Sequence, residues 1–134
     1  MSTPNLVEAF YSRIWNQGDL AASSDPLAKD FRFRGSLGSE LRGLDAFCEY
    51  VRSVREALAE YNCEILDCVT EQNKAFAKMH FSGVHVAKWR GYQPTGKRVR
   101  WLGAALFRIE DELISELWVL GDLIGLDAVL KANA

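Results

Sequence analysis

Residues 98–120, RVRWLGAALFRIEDELISELWVL, hold two long extended segments joined by the short acidic turn Glu110-Asp111-Glu112. Along the first segment Val99, Trp101, Ala105 and Phe107 alternate with Leu102, Ala104 and Leu106, so both faces of that strand are apolar. Upstream, Cys63 to Glu71 and Ala75 to Trp89 read as two further strands, linked by Gln72-Asn73-Lys74 and followed by the loop Arg90 to Gly96. Four consecutive strands with short turns make an antiparallel meander. Apolar residues on both of its faces mean that it is covered twice. Helices cover one face, and a second copy of the chain is expected on the other, through Leu102, Ala104, Leu106, Leu117 and Val119.

The helices precede the meander. Thr3-Pro4 starts one, and Leu6, Val7, Phe10, Tyr11, Ile14 and Trp15 follow at helical spacing up to Gly18. Asp19 to Lys29 reads as a short helix or turn, Asp30 to Arg34 as a brief strand, and Gly35 to Gly43 as a loop. From Leu44 to about Glu60 there is neither Pro nor Gly, and Phe47, Val51, Val54 and Leu58 mark one face of a long helix. A last helix is expected over Leu123 to Lys131.

At 134 residues, 49% of them hydrophobic, with a net charge of −2, the chain is expected to form one domain, residues 1–134, with an ordinary core. Cys48, Cys63 and Cys68 are an odd number without a CxxC pair, and the N-terminus has no signal-like segment, so a cytoplasmic location is expected. No apolar run is long enough to span a bilayer, which argues against a membrane role. His80 and His85 fall on opposite faces of a strand and no His/Cys ligand set clusters, so no metal is expected. Lys88-Trp89-Arg90 and Lys97 to Trp101 interleave basic and aromatic residues, but the acidic balance, pI ≈ 5.7, argues for soluble hairpin flanks and against nucleic acid.

Helices followed by a long antiparallel meander, together with Gly83-Val84-His85, Pro94-Thr95-Gly96-Lys97, Phe107-Arg108-Ile109, and Trp118 and Asp122 before Gly125-Leu126, resemble the SnoaL-like polyketide cyclase family of the nuclear transport factor 2-like superfamily. The resemblance implies a cone-shaped α+β fold, a curved mixed or antiparallel sheet wrapped around N-terminal helices. It implies no cofactor, with the aspartate at Asp122 as acid/base of an intramolecular aldol closure and His85 pointing into the same cavity. Glu110-Asp111-Glu112, Val86-Ala87 and Val129-Leu130 depart from the family pattern.

Strand alternation places Met79, Phe81 and His85 on one face, and Trp118 with Asp122 on one face of the last strand. In an apolar cup between those faces, a carboxylate desolvated by Trp101 and Trp118 would be tuned towards neutrality as a base. Tyr11, Trp15, Phe31 and Phe33 are candidate walls by their apolar faces alone. Asp122 also stands where an N-cap of the last helix belongs, a role that keeps it bonded to backbone N–H groups. A structural histidine is the equivalent alternative for His85, and plain core for Trp101 and Trp118. Three readings follow: a cyclase or isomerase acting on a hydrophobic, polyketide-like carbonyl compound, a non-catalytic module that binds such a ligand, or a pure dimerisation domain, which a filled cavity with no room for ligand would favour.

Overall fold

The computed structural model describes residues 2–134. Helix α1, Thr3–Ala9, begins with the Ser2 hydroxyl accepting from the Asn5 N–H, and Pro4 occupies its first turn, where no N–H is needed. It runs on as a π-helical stretch, Phe10–Asn16, marked by the i to i+5 bond from the Gln17 N–H to the Ser12 carbonyl. Phe10, Tyr11, Ile14 and Trp15 are all buried on this wider turn. A short 3-10 turn, Leu20–Ala22, leads to strand β1, Leu27–Arg34. The segment expected to be only a loop contains a short strand, β2, Glu40–Arg42, paired with β1.

Helix α2, Leu44–Ala57, ends earlier than expected. Leu58 is already extended and opens β3, Leu58–Glu71, with no connecting loop. Absence of Pro and Gly through Glu60 hid this change, because Leu58 satisfies a helical and an extended pattern equally well. Strands β4, Lys74–His85, β5, Arg98–Glu110, and β6, Leu113–Gly121, complete the meander, and α3, Leu123–Asn133, closes the chain. In the β5–β6 turn Asp111 and Glu112 both take positive φ, as a two-residue hairpin turn with right-handed strand twist requires.

The six strands form one curved, unclosed sheet in the order β2-β1-β6-β5-β4-β3. All neighbours are antiparallel except β1 and β6, which run parallel. α1 packs on β3 and β4, and α2 on β1 and β3, so the helices fill the concave side. Phe10, Phe31, Phe33 and Phe47 interlock there, with Phe47 4.8 Å from Phe33 and 5.2 Å from Phe31 between ring centroids. Two polar devices fix the first helix. The Arg55 guanidinium donates to the Trp15 and Asn16 carbonyls at its C-terminal end, and the Asn16 amide bonds both the Cys63 carbonyl, 3.0 Å, and the Cys63 N–H, 2.7 Å. Among the described residues no helix is long and apolar enough to cross a membrane.

One irregularity decides what faces inward. Ile109 pairs with Ile114 and Arg108 with Glu116, which leaves Ser115 as an extra residue on β6. Ser115 is buried and its hydroxyl donates to the Arg108 carbonyl, 3.2 Å. Beyond this bulge the alternation is reversed. Leu117 and Val119 point into the core, whereas Trp118 and Leu120 point out. The face expected for Trp118, and that expected for Leu117 and Val119, is therefore inverted. Leu117 and Val119 do not belong to the outer face with Leu102, Ala104 and Leu106; Trp118 and Leu120 do.

Candidate active site

The concave side encloses a narrow cavity between the helices and the sheet. Phe10, Tyr11 and Trp15 reach it from the first helix, Tyr50 and Val54 from α2, and Phe33 from β1. Tyr61, Phe81, Trp101 and Val119 line it from β3, β4, β5 and β6, and Ser36 and Leu37 from the β1–β2 turn. None of these lining residues carries a charge. The open space is about 20 Å³, room for about one water molecule.

Polar atoms inside this apolar shell are few. The Tyr11 hydroxyl and the Trp101 Nε1–H are buried and have no hydrogen-bond partner among the described residues. Burial pushes the Tyr11 phenol well above its ordinary value, with Cys63 and Tyr61 adding to the effect, and burial does the same to Tyr61. Tyr50 is pushed up to about 12, again chiefly by burial. The phenols therefore keep their protons at neutral pH and act as donors. Burial also pushes up the Cys63 thiol, which is consequently no thiolate nucleophile at neutral pH. The three cysteines are free.

Of the residues expected from sequence, Tyr11, Trp15, Phe33, Phe81 and Trp101 come together in this wall. Phe81 and Trp101 stack with ring centroids 5.1 Å apart. Phe31 and Met79 are fully buried in the core behind it. Trp118 is not a wall: it lies on the convex face, 44% exposed, with the Arg34 guanidinium 5.7 Å from its ring centroid. The Ser115 bulge put it there.

Asp122, the first residue after β6, is exposed. Its carboxylate accepts from the Gly125 N–H, 2.9 Å, as the N-cap of α3. The desolvation by Trp118 and Trp101 expected from sequence is thus missing at this carboxylate. His85 is fully buried at the end of β4, and neither ring nitrogen has a partner among the described residues, so no hydrogen bond joins it to Asp122. Its ring lies 6.5 Å from that of Trp89, which in turn lies 5.6 Å from Trp101 of the wall. Among the described residues no three His, Cys, Asp or Glu side chains cluster as metal ligands would.

Sequence reasoning missed Ser36, Leu37, Tyr50, Val54, Tyr61 and Val119 as wall residues. Val54 was legible as part of the apolar face of α2, but Ser36 and Leu37 sit in a turn with no periodicity to betray an inward side chain.

Residues 5–130 match the sequence model of the SnoaL-like polyketide cyclases. No functionally curated protein matches the chain. Among solved structures, TsrD from Streptomyces laurentii is 29% identical, with a TM-score of 0.85 over 96% of this chain and 94% of that one. A proposed polyketide cyclase from Acidithiobacillus ferrooxidans superposes at a TM-score of 0.84 over the whole of both chains, at 20% identity. IdmH from Streptomyces antibioticus, also a proposed polyketide cyclase, gives 0.85 over 98% and 99% at 18% identity. The last two similarities speak to the fold alone.

Proposed function

This chain belongs to the SnoaL-like polyketide cyclase family, and from that membership and its cavity we propose that it is a cofactor-free cyclase or isomerase of a hydrophobic, polyketide-like carbonyl compound. The observation that carries the reading is an uncharged aromatic cup whose buried Tyr11 and Trp101 donors have no partner among the described residues. At about 20 Å³ the cup has room for no more than about one water, so its walls would have to part to take a ligand; once filled, it would keep water from a carbanion-like intermediate, and every dipole inside would act at low dielectric. The chemistry is removal of a proton next to a carbonyl to give an enolate. The enolate carbon then attacks a second carbonyl of the same molecule, and the resulting alkoxide takes up a proton.

In this reading Asp122 is the acid/base, working from the rim. Gly121, the residue before it, packs against Ser36 and Trp101 of the wall, so the carboxylate is one residue beyond the cavity. To act, it exchanges its bond to the Gly125 N–H for the substrate proton or a bridging water. A base of this kind contributes ~10²- to 10⁴-fold. His85 supports the apolar end of the site through Trp89.

The exposed cap position of Asp122 favours the second reading, a binding module of the same fold without chemistry. Hydrogen–deuterium exchange next to the carbonyl of 2-tetralone, followed by NMR in D2O, separates the two. Under the enzyme reading the protein accelerates exchange and Asp122→Asn removes the acceleration without weakening ligand affinity. Ligand binding with no acceleration by either protein supports the module. Asn is itself a good N-cap, so loss of exchange in Asp122→Asn is not a loss of fold, whereas Asp122→Ala costs about 1 kcal/mol of stability.

The outer sheet face is proposed to meet a second copy of the chain. Val69, Phe76, Leu106 and Trp118 stand opposite one another in register across β3, β4, β5 and β6, each 44% exposed or more. Leu106→Glu is expected to turn a dimer into a monomer by sedimentation velocity, and a wild type already monomeric at high concentration sinks the proposal.

A further inference from the structure

A cavity with room for about one water serves a ligand only if one of its walls moves, and the walls are not equally fixed. Phe10, Tyr11 and Trp15 stand on a helix tied down by Arg55 and Asn16, and the aromatic residues of the sheet stand on paired strands. Two lining residues, Ser36 and Leu37, belong to no helix or strand. Their turn, Gly35 to Ser39, is closed on itself: the Gly35 N–H donates to the Ser39 carbonyl, 2.9 Å, and the Gly38 N–H to the Gly35 carbonyl, 3.0 Å. Among the described residues no backbone-to-backbone hydrogen bond joins Ser36, Leu37 or Gly38 to a helix or a strand. Side-chain contact holds the turn down. Leu37 packs half-buried on the core, and the Tyr50 hydroxyl sits beside the Leu37 backbone, 3.0 Å from where a Gly35 Cβ would stand.

Beneath the turn lies a donor that closure leaves unpaired. A Cβ on Gly121 would come within 2.9 Å of the Ser36 Cβ and 3.4 Å of the Trp101 Cδ1, so the turn and the indole meet at Gly121, on the ring edge that carries Nε1–H. That N–H is buried and has no partner among the described residues. Indole nitrogen only donates, so the closed state carries a standing cost that ends once water or a ligand acceptor reaches it. We propose that the turn Gly35 to Ser39 is the gate of the cavity, lifting as a unit to admit the ligand and to open the Trp101 Nε1 to it. This gate rests on the functional reading above and deepens it by naming the wall that parts. Lifting gives up the Leu37 contacts but no ladder hydrogen bond, restores a partner to the indole, and adds the space held by the Ser36 and Leu37 side chains to the cavity.

The test is exchange of the Trp101 Nε1 proton with D2O, followed by NMR in the ligand-free protein and assigned by its loss in Trp101→Phe. A buried proton exchanges when the structure over it opens. With the turn as gate, this proton is protected far less than the β4 and β5 amides of the wild type. Leu37→Ala then speeds its exchange about tenfold, roughly what removal of a half-buried leucine side chain from the closed state gives, while the β4 and β5 amides are unmoved. The wild-type comparison decides the question even if Leu37→Ala loosens the fold. Exchange of the Trp101 proton only together with the β5 amides, or at an unchanged rate in Leu37→Ala, overturns the gate. Bound 2-tetralone should slow the Trp101 proton further, and binding that leaves it unchanged overturns the gate as well. Absence of 2-tetralone binding counts against the functional reading, whereas the gate is then decided by the ligand-free rates.

Discussion

Gly121 and Ser36 touch backbone to side chain: a Cβ on Gly121 would lie 2.9 Å from the Ser36 Cβ and 3.0 Å from its carbonyl oxygen. Ser36 belongs to the β1–β2 turn that borders the cavity, and Gly121 ends the strand that leads to Asp122. The missing side chain is what lets the turn rest on the sheet.

Gly121→Ala is accordingly expected to lift that turn. The Gly35 N–H to Ser39 carbonyl bond, 2.9 Å, and the Gly38 N–H to Gly35 carbonyl bond, 3.0 Å, are those most exposed to the displacement. Amide hydrogen exchange should accelerate at Gly35 and Gly38 while the β4 and β5 amides stay protected. Stability should drop by about 1–3 kcal/mol, as overpacking does. Unchanged exchange in the turn would mean that it does not rest on Gly121.

Deletion of Ser115 is expected to do more damage than truncation of any single wall residue. Without the extra residue, either Leu117 and Val119 turn outward and Trp118 and Leu120 turn in, or the β5–β6 pairing slips along its whole length. Loss of cooperative thermal unfolding and binding of a hydrophobic dye are the expected signs. Ser115→Ala keeps the bulge and loses one hydrogen bond, so it should cost only about 1 kcal/mol. Equal behaviour of the two variants would remove the bulge as the cause.

Alkaline pH should unfold this protein more readily than its size suggests. In the folded chain the Cys63 thiol and the Tyr11, Tyr61 and Tyr50 phenols all hold their protons above their ordinary values, mainly through burial. As pH rises past about 9 for Cys63 and about 10 for the phenols, the unfolded chain binds fewer protons than the folded one. Their contribution is thus fully present below pH 9 and is lost as pH climbs, by up to about 1.4 kcal/mol per pH unit for each group. Urea midpoints at pH 8, 10 and 11.5 should fall steadily, and less steeply in Tyr11→Phe. A flat profile would contradict the burial of these groups.

The same bulge explains what the sequence did and did not disclose. Period-two alternation placed Met79, Phe81 and His85 of β4 on one face and Val99, Trp101, Ala105 and Phe107 of β5 on one face, and all seven are buried, because those strands pair without interruption. The wall residues Tyr11 and Trp15 were legible from helical spacing alone. Trp118 was not, since nothing in Leu113 to Leu120 distinguishes the serine that bulges from one that continues the strand. The early end of α2 at Ala57 was hidden for a different reason: a Leu that serves both patterns, and no breaker to separate them.

Asn16 carries a consequence beyond anchoring the first helix. Strand β3 is an outermost strand of the sheet, and the outward N–H and C=O of Cys63 would otherwise be open to any extended chain that came alongside. One side-chain amide occupies both, imitating for a single residue the neighbour that the strand lacks. The helix that supplies the cavity wall thereby also seals the middle of an adhesive edge, so a mutation that loosens it would expose the protein to self-association as well as emptying the site of Tyr11.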